Sequence, residues 1–438
     1  MGALSPASSQ SLGQGPAPAT TAPGGWSTSA AKPIPDAAKT KPNVKVRKSN
    51  DIPGTTSHAT ITSASVSTEN GRTSLALDMT TGVRAEVYTL ANPYRVVIDM
   101  PDVAFRLPDA AGQHGKGLIK AFRYGLFAPG KARIVADTSS PVRIEKAAMT
   151  SSGKGAEVRF QVTLAPMDSA AFGDGTGAEM AHNKTKPSLH EDPGALAAAA
   201  PKHRPVVLID PGHGGVDPGA VSKNNVYEKN VVLAVAKQLR AKLAASGRYD
   251  VILTRDTDVF VPLDQRRQIS YEKRADLFIS LHADSIDAQQ FAGSIRGASV
   301  YVLSDRASDE EARRMAEKEN ASDVFAGGVM SDSGEDDQVK NILIDLLKRE
   351  TANFSADFSR MLIGRLSKSA SLNKGQQRAA AFKVLRQTHA PSVLLELGYM
   401  SNDEDEKLLS SPVWQKQIAG SIAAAVDQYF SSRTSRAP

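Results

Sequence analysis

Cysteine is absent from the 438 residues. That removes disulfides, thiolate metal sites and cysteine nucleophiles together. It leaves the redox compartment open, since a chain without thiols suits an oxidising space as well as a reducing one. Aromatic residues are scarce, at 5% against 41% hydrophobic, so the cores are expected to be aliphatic. No stretch approaches the roughly 20 apolar residues of a membrane-spanning helix, so no membrane span is expected. Residues 1–25 are rich in Ala, Ser, Pro and Gly and lack a basic region followed by an apolar run. A secretory signal is therefore not visible in the sequence as it stands. The charge excess is mild, at +6 with a pI near 9.2. It shows no stripe of Lys and Arg interleaved with aromatics, so a nucleic-acid partner is not expected.

What is present divides the chain. Residues 1–57 are dominated by Pro, Ser, Ala, Gly and Thr and read as a disordered tail, with a basic run from Lys39 to Lys48. Residues 58–166 change to short runs with a period near two, such as Thr73 to Met79, Tyr94 to Met100 and Ala132 to Asp137. Turn residues such as Asn70-Gly71 and Pro129-Gly130 separate them, which predicts a small all-β sandwich. Residues 167–203 read as a linker, and His182 and His190 fall there as isolated loop residues. From Arg204 to about residue 432 strands and helices alternate. Strands are expected at 205–210, 249–254, 277–281, 298–303 and 392–397, an amphipathic helix at 225–246, and further helices at 263–274, 338–367 and 412–430. That succession predicts an α/β domain with a mainly parallel sheet flanked by helices.

Polar residues stand at the ends of those expected strands. In open α/β sheets ligands bind beyond the carboxyl ends of the strands. Asp210-Pro211-Gly212-His213-Gly214-Gly215 follows the first strand, and Ser280-Leu281-His282-Ala283-Asp284 follows another. Glu228 opens a helix, and Glu396 interrupts the apolar run Leu394-Leu395-Glu396-Leu397. A buried carboxylate costs several kcal/mol unless it is paired, protonated or near a metal, so Glu396 demands a reason. Two neutral imidazoles and one carboxylate form a standard catalytic set for zinc with one position left open. His213, Glu228 and His282 fit the ligand roles, and Glu396 fits a general base. The bland alternative makes both histidines satisfied loop residues and pairs Glu396 with Arg386 or Lys383.

Residues 210–215, Glu228 with Asn230, residues 280–284, 297–304 and 395–402 together resemble the zinc-dependent N-acetylmuramoyl-L-alanine amidases of bacterial cell separation. The resemblance runs from about Arg204 to Phe430. It implies Zn2+ held by His213, Glu228 and His282, and Glu396 as the catalytic residue. The implied substrate is peptidoglycan, cut between N-acetylmuramic acid and the L-alanine of the stem peptide. Residues 58–166 resemble, less specifically, the AMIN domain that precedes such enzymes and binds peptidoglycan. The implied location is the periplasm, inferred from the substrate.

A long polar stretch at about 305–352 interrupts the expected α/β pattern. In the family resembled, such an insertion is an autoinhibitory helix, one of whose carboxylates blocks the zinc until a LytM-type activator moves it. Glu310, Glu311, Glu317 and Glu319 are the candidates, against a solvated helix whose acids pair with Arg313, Arg314 and Lys318. Two other functions remain to be weighed: a catalytically weak wall-binding scaffold, and a zinc exopeptidase acting on free peptides.

Overall fold

The computed structural model describes residues 44–46, 59–101, 103–108, 110–151, 157–169, 172, 204–286, 295–328, 342–387 and 389–434. The N-terminal part is a sandwich of two five-stranded sheets. One holds β1 (Val44–Val46), β4 (Ala85–Leu90), β5 (Arg95–Pro101), β8 (Lys131–Thr138) and β7 (Ile119–Ala128), in that order. The other holds β6 (Val103–Phe105), β2 (Ala59–Glu69), β3 (Arg72–Met79), β10 (Val158–Pro166) and β9 (Val142–Ser151). Asn70 and Gly71 both take positive φ, the backbone that a two-residue turn needs to match the twist of β2 and β3. Leu75, Leu77, Ile98, Ile134 and Phe160 from the two sheets meet in an apolar core.

Two expectations need correction here. Val44–Val46 lies inside the segment read as a disordered tail, yet it pairs antiparallel with Ala85–Val87. The run Val-Lys-Val has the alternation of an edge strand, and the surrounding basic residues masked that signal. Phe172, read as linker, is buried and meets the Tyr94 ring edge-on at 4.9 Å. His182 and His190 lie outside the described residues.

The C-terminal part is a three-layer α/β/α unit. Its six-stranded sheet runs β12 (Asp250–Leu253), β11 (Val206–Pro211), β13 (Leu277–His282), β16 (Ser392–Glu396), β14 (Ala298–Leu303), β15 (Leu372–Ala380). All neighbours are parallel except β14 with β16. β13 and β16 are buried throughout, as expected of strands covered on both faces. Alternate residues serve opposite layers: Val207 and Ile209 face one cluster, Leu208 the other.

The first cluster lies under α1 (Glu228–Ala244), α5 (Ile342–Leu366) and α7 (Pro412–Thr434). Val231, Val232, Val235, Leu239 and Leu243 recur at helical spacing along α1 and are all buried there. Each such side chain contributes about 1.5–3 kcal/mol when fully removed from water. Trp414 of α7 is buried in the same cluster. The second face carries α2 (Leu263–Glu272) and a helix from the polar stretch, α3 (Glu310–Asn320), followed by the short α4 (Ser322–Phe325). α3 has an N-cap, with Ala312 N donating to Asp309 Oδ1 at 2.8 Å. Its buried face is Ala312, Met315, Ala316 and Glu319. A further helix, α6 (Asp403–Leu409), and β15 were not expected from the sequence pattern.

Candidate metal centre

β11, β13 and β16 are adjacent and parallel, with Pro211 opposite Leu281 and His282 opposite Glu396. Their carboxyl ends therefore deliver His213, His282 and Glu396 to one place. Glu228 arrives from the first turn of α1, 0% exposed. The ligating atoms of His213, Glu228 and His282 lie within 4.8 Å of one another. Among the described residues the sequence candidates thus converge. The bland reading fails for Glu396, whose Oε2 accepts from the Asp284 backbone N–H at 3.0 Å while Oε1 has no hydrogen-bond partner.

Local backbone chemistry permits this crowding. His213 sits at φ 56°, a conformation that costs a non-glycine residue and is concentrated at functional sites. Gly212 is dictated by contact: a Cβ there would come 2.5 Å from His282 Nε2. Gly219 is dictated likewise, since its Cβ would lie 2.6 Å from Glu228 Oε2.

The donor set suits a divalent metal. His213 Nε2 and His282 Nδ1 are buried and make no hydrogen bond. Each lies 3.2 Å from Glu228 Oε1. Two orphaned ring nitrogens around one carboxylate oxygen leave a costly gap unless a cation fills it. The other ring nitrogen of His213, Nδ1, is held by Asp217 Oδ2 at 2.8 Å. That carboxylate orients the ring and raises its basicity. Asp217 was missed by the sequence reading, although it lies one helical turn's spacing from His213. Glu228 is held by Ala220 N on Oε2 and Ala283 N on Oε1, both at 2.8 Å.

Electrostatics separate the acids. Burial pushes the Glu396 carboxyl well above the usual range, and the nearby charges of Asp284, Glu228 and Glu319 push it further. Burial opposes ionisation of Glu228 too, but His213 and His282 hold it well below its ordinary value. The same burial thus raises one carboxyl, while at the other the two imidazoles overcome it.

Glu319 completes the cluster. Its Oε2 lies 3.1 Å from His282 Nδ1 and 3.5 Å from His213 Nε2. The other three acids face elsewhere. Glu310 pairs with Arg313 and Arg314, Glu317 with Arg313, and Glu311 with Arg378. Lys318 reaches Asp284 at 2.5 Å, Ser322 Oγ donates to Asp217 Oδ2 at 2.6 Å, and Asn320 bonds Ala381 O and Lys383 N. With α3 in place, the cavity beside the histidines measures about 10 Å³, one water at most.

Beneath the site, Arg266 and Asp210 form an ion pair at 2.6 Å, both almost fully buried. Arg266 also donates to Pro211 O and His213 O, each at 2.9 Å, and so ties α2 to the His213 loop. Thr254 and Ser280 donate to the same Asp210 carboxylate. Arg266→Met leaves that carboxylate buried without its cation and should cost about 3–5 kcal/mol. Denaturant unfolding measures it, and a midpoint equal to the parent's would remove the pair from the stability of this loop.

Residues 207–428 match the N-acetylmuramoyl-L-alanine amidase family, and residues 64–162 match the AMIN domain. N-acetylmuramoyl-L-alanine amidase AmiC of Escherichia coli O6:H1 is 35% identical over 353 residues, covering 78% of this chain and 83% of that protein. AmiC of Neisseria meningitidis serogroup B is 32% identical, covering 82% of this chain and 87% of its own. AmiA of Escherichia coli K12 is 39% identical over 226 residues, 51% of this chain and 76% of that one. With sheet, site and both sequence matches in agreement, this chain belongs to the N-acetylmuramoyl-L-alanine amidase family, with an AMIN domain ahead of its catalytic domain.

Proposed function

We propose that His213, Glu228 and His282 hold one zinc ion, that Glu396 is the proton-transfer residue, and that Glu319 blocks the site in the resting protein. The observation that carries this reading is the convergence of two unpartnered ring nitrogens on Glu228. Zinc bound there supplies a Lewis acid for the scissile carbonyl and lowers the pKa of a water to about 7.

The rest falls to the chain's own groups. Glu396 takes a proton from the attacking water and passes it to the departing L-alanine amine. Burial and the neighbouring carboxylates favour the protonated form that the second step requires. Asp217 keeps the His213 proton on Nδ1, so that Nε2 offers its lone pair to the metal. Bond cleavage separates N-acetylmuramic acid from the stem peptide and leaves the peptide with a free amine. Peptidoglycan lies in the bacterial envelope, which puts the reaction in the periplasm and, by the family resemblance, in the separation of daughter cells.

Incubation of purified sacculi with the zinc-loaded protein tests the reaction. Release of intact stem peptides beginning in a free L-alanine amine supports it. Cleavage inside the peptide would favour an exopeptidase, and zinc-independent binding without release a scaffold.

The position of Glu319 supports the reading of α3 as an autoinhibitory helix that a LytM-type activator would displace. Glu319→Ala should raise activator-free hydrolysis on the order of tenfold, the effect of removing little more than 1.4 kcal/mol of ground-state blockade. Glu317→Ala, one residue pair away but facing solvent, serves as the control and should change little. Equal rates for the two variants would sink the assignment.

A further inference from the structure

The β domain grips the other end of the segment that carries Glu319. The last carbonyls of a helix have no partner inside it. Here the carbonyls of residues 324–328 are taken by three arginines from β5, β7 and β8. Arg95 Nη1 donates to Val324 O and, at 3.2 Å, to Gly328 O. Arg123 Nε donates to Phe325 O at 2.7 Å. Arg133 Nη1 donates to Ala326 O at 3.1 Å and Gly327 O at 3.3 Å.

These arginines are fixed in advance by their own domain. Asp99 grips Arg133 on two nitrogens at 2.6 and 2.8 Å, and Asp137 grips Arg123 at 2.5 Å. The Arg133 guanidinium lies 3.4 Å from the centre of the Phe127 ring. Arg95 and Arg133 are 1% and 5% exposed, although they stand on the face of β5 and β8 turned away from the sandwich core. Val97 and Val135, on that same outer face, join Val216, Phe260 and Ala326 in an apolar cluster. Gly327, at φ +82°, lets the chain pass close: a Cβ there would lie 3.1 Å from Val135 Cγ2.

The catalytic domain meets the same sheet beside the His213 loop. Phe260 N donates to Leu126 O at 3.0 Å, and a Cβ on Gly125 would strike the Gly215 carbonyl carbon at 2.3 Å. Between the arginine seat and Glu319 the backbone is continuous and bonded, with Phe325 N on Ala321 O and Ala326 N on Ser322 O, both at 3.0 Å. A displacement at residues 324–328 therefore carries to the metal site.

We propose that the outer face of β5, β7 and β8 is an intramolecular seat for residues 324–328, and that it holds the inhibitory helix on the catalytic centre. The β domain is then a restraint on activity as well as a wall-binding module. The proposal rests on the reading of Glu319 as the blocking carboxylate. It identifies this seat as what an activating partner must loosen.

The test uses the full chain carrying Arg95→Ala with Arg133→Ala. Amide hydrogen exchange over residues 310–328 is measured on metal-free protein, and basal stem-peptide release on the zinc-loaded form. The expected result is faster exchange across 310–328 and basal release about tenfold higher. Combined with Glu319→Ala, the pair should add nothing further. Gly125→Val is the second variant. It wedges the two domains apart while leaving all three arginines in the chain, and it should loosen 310–328 in the same way. Parent-like protection of 310–328 in both folded variants would overturn the seat. If Glu319→Ala itself leaves basal release unchanged, the blocking-carboxylate reading fails separately, and the exchange data still decide whether the β domain holds the segment.

Discussion

Replacing His282 with alanine should strip metal and activity together. The residue supplies one of the two unpartnered ring nitrogens that face Glu228 Oε1. Loss of a group that merely orients a metal ligand costs about 10–100-fold in affinity. If His282 is a ligand as proposed, its loss should exceed that. Measured zinc per chain should fall from about one to a small fraction after dialysis, and stem-peptide release should fall to background. His213→Ala should behave alike. Chelation of the parent should abolish release and added zinc restore it, whereas added zinc should not rescue the variants at ordinary concentrations. A folded His282→Ala protein that keeps stoichiometric zinc would remove this residue from the coordination set.

Glu396→Ala should separate metal from turnover. The carboxyl stands opposite His282 in the sheet register, yet it belongs to a different strand and is not among the three groups whose ligating atoms cluster. Zinc content should stay near one per chain. Turnover should fall by about 10²–10⁴-fold, the usual worth of a positioned acid–base group. Glu396→Gln keeps the shape and the hydrogen bond from Asp284 N but cannot accept a proton, so it should lose as much. Near-normal turnover in either variant would assign the proton transfer elsewhere.

Much of this site is legible in the sequence because its residues violate local expectation. A carboxylate inside Leu-Leu-Glu-Leu and histidines directly after buried strands have few structural justifications, and parallel topology brings strand ends together. Which of Glu310, Glu311, Glu317 and Glu319 faces the histidines is legible too. Ala312, Met315 and Ala316 trace the apolar stripe of α3, and the next position on that stripe is Glu319. Charge pairing at helical spacing accounts for Glu310 and Glu317 on the opposite face.

Other features left weaker traces. Asp217 sits in a glycine-rich loop whose path no periodicity predicts, and only the fold shows that it meets His213. Asp210 and Arg266 are 56 residues apart, and an ion pair at that separation has no signature in a single sequence. The alternation in β5 and β8 predicts a sandwich strand with one face on the core and says nothing of what the other face meets. Arg95, Val97, Arg133 and Val135 are buried by a second surface, the catalytic domain and the segment after α4. A polar stripe on a strand carries the same pattern whether it faces water or another part of the protein.

The burial of Trp414 has a practical consequence. The chain has two tryptophans, Trp26 and Trp414, and the sandwich strands contain neither. In a fragment starting at residue 41, indole emission would come from α7 alone. It would report melting of the α/β core and stay silent if the sandwich came apart first. Comparing that emission with far-ultraviolet dichroism, to which both parts contribute, would therefore show whether the two halves unfold in one transition or in two.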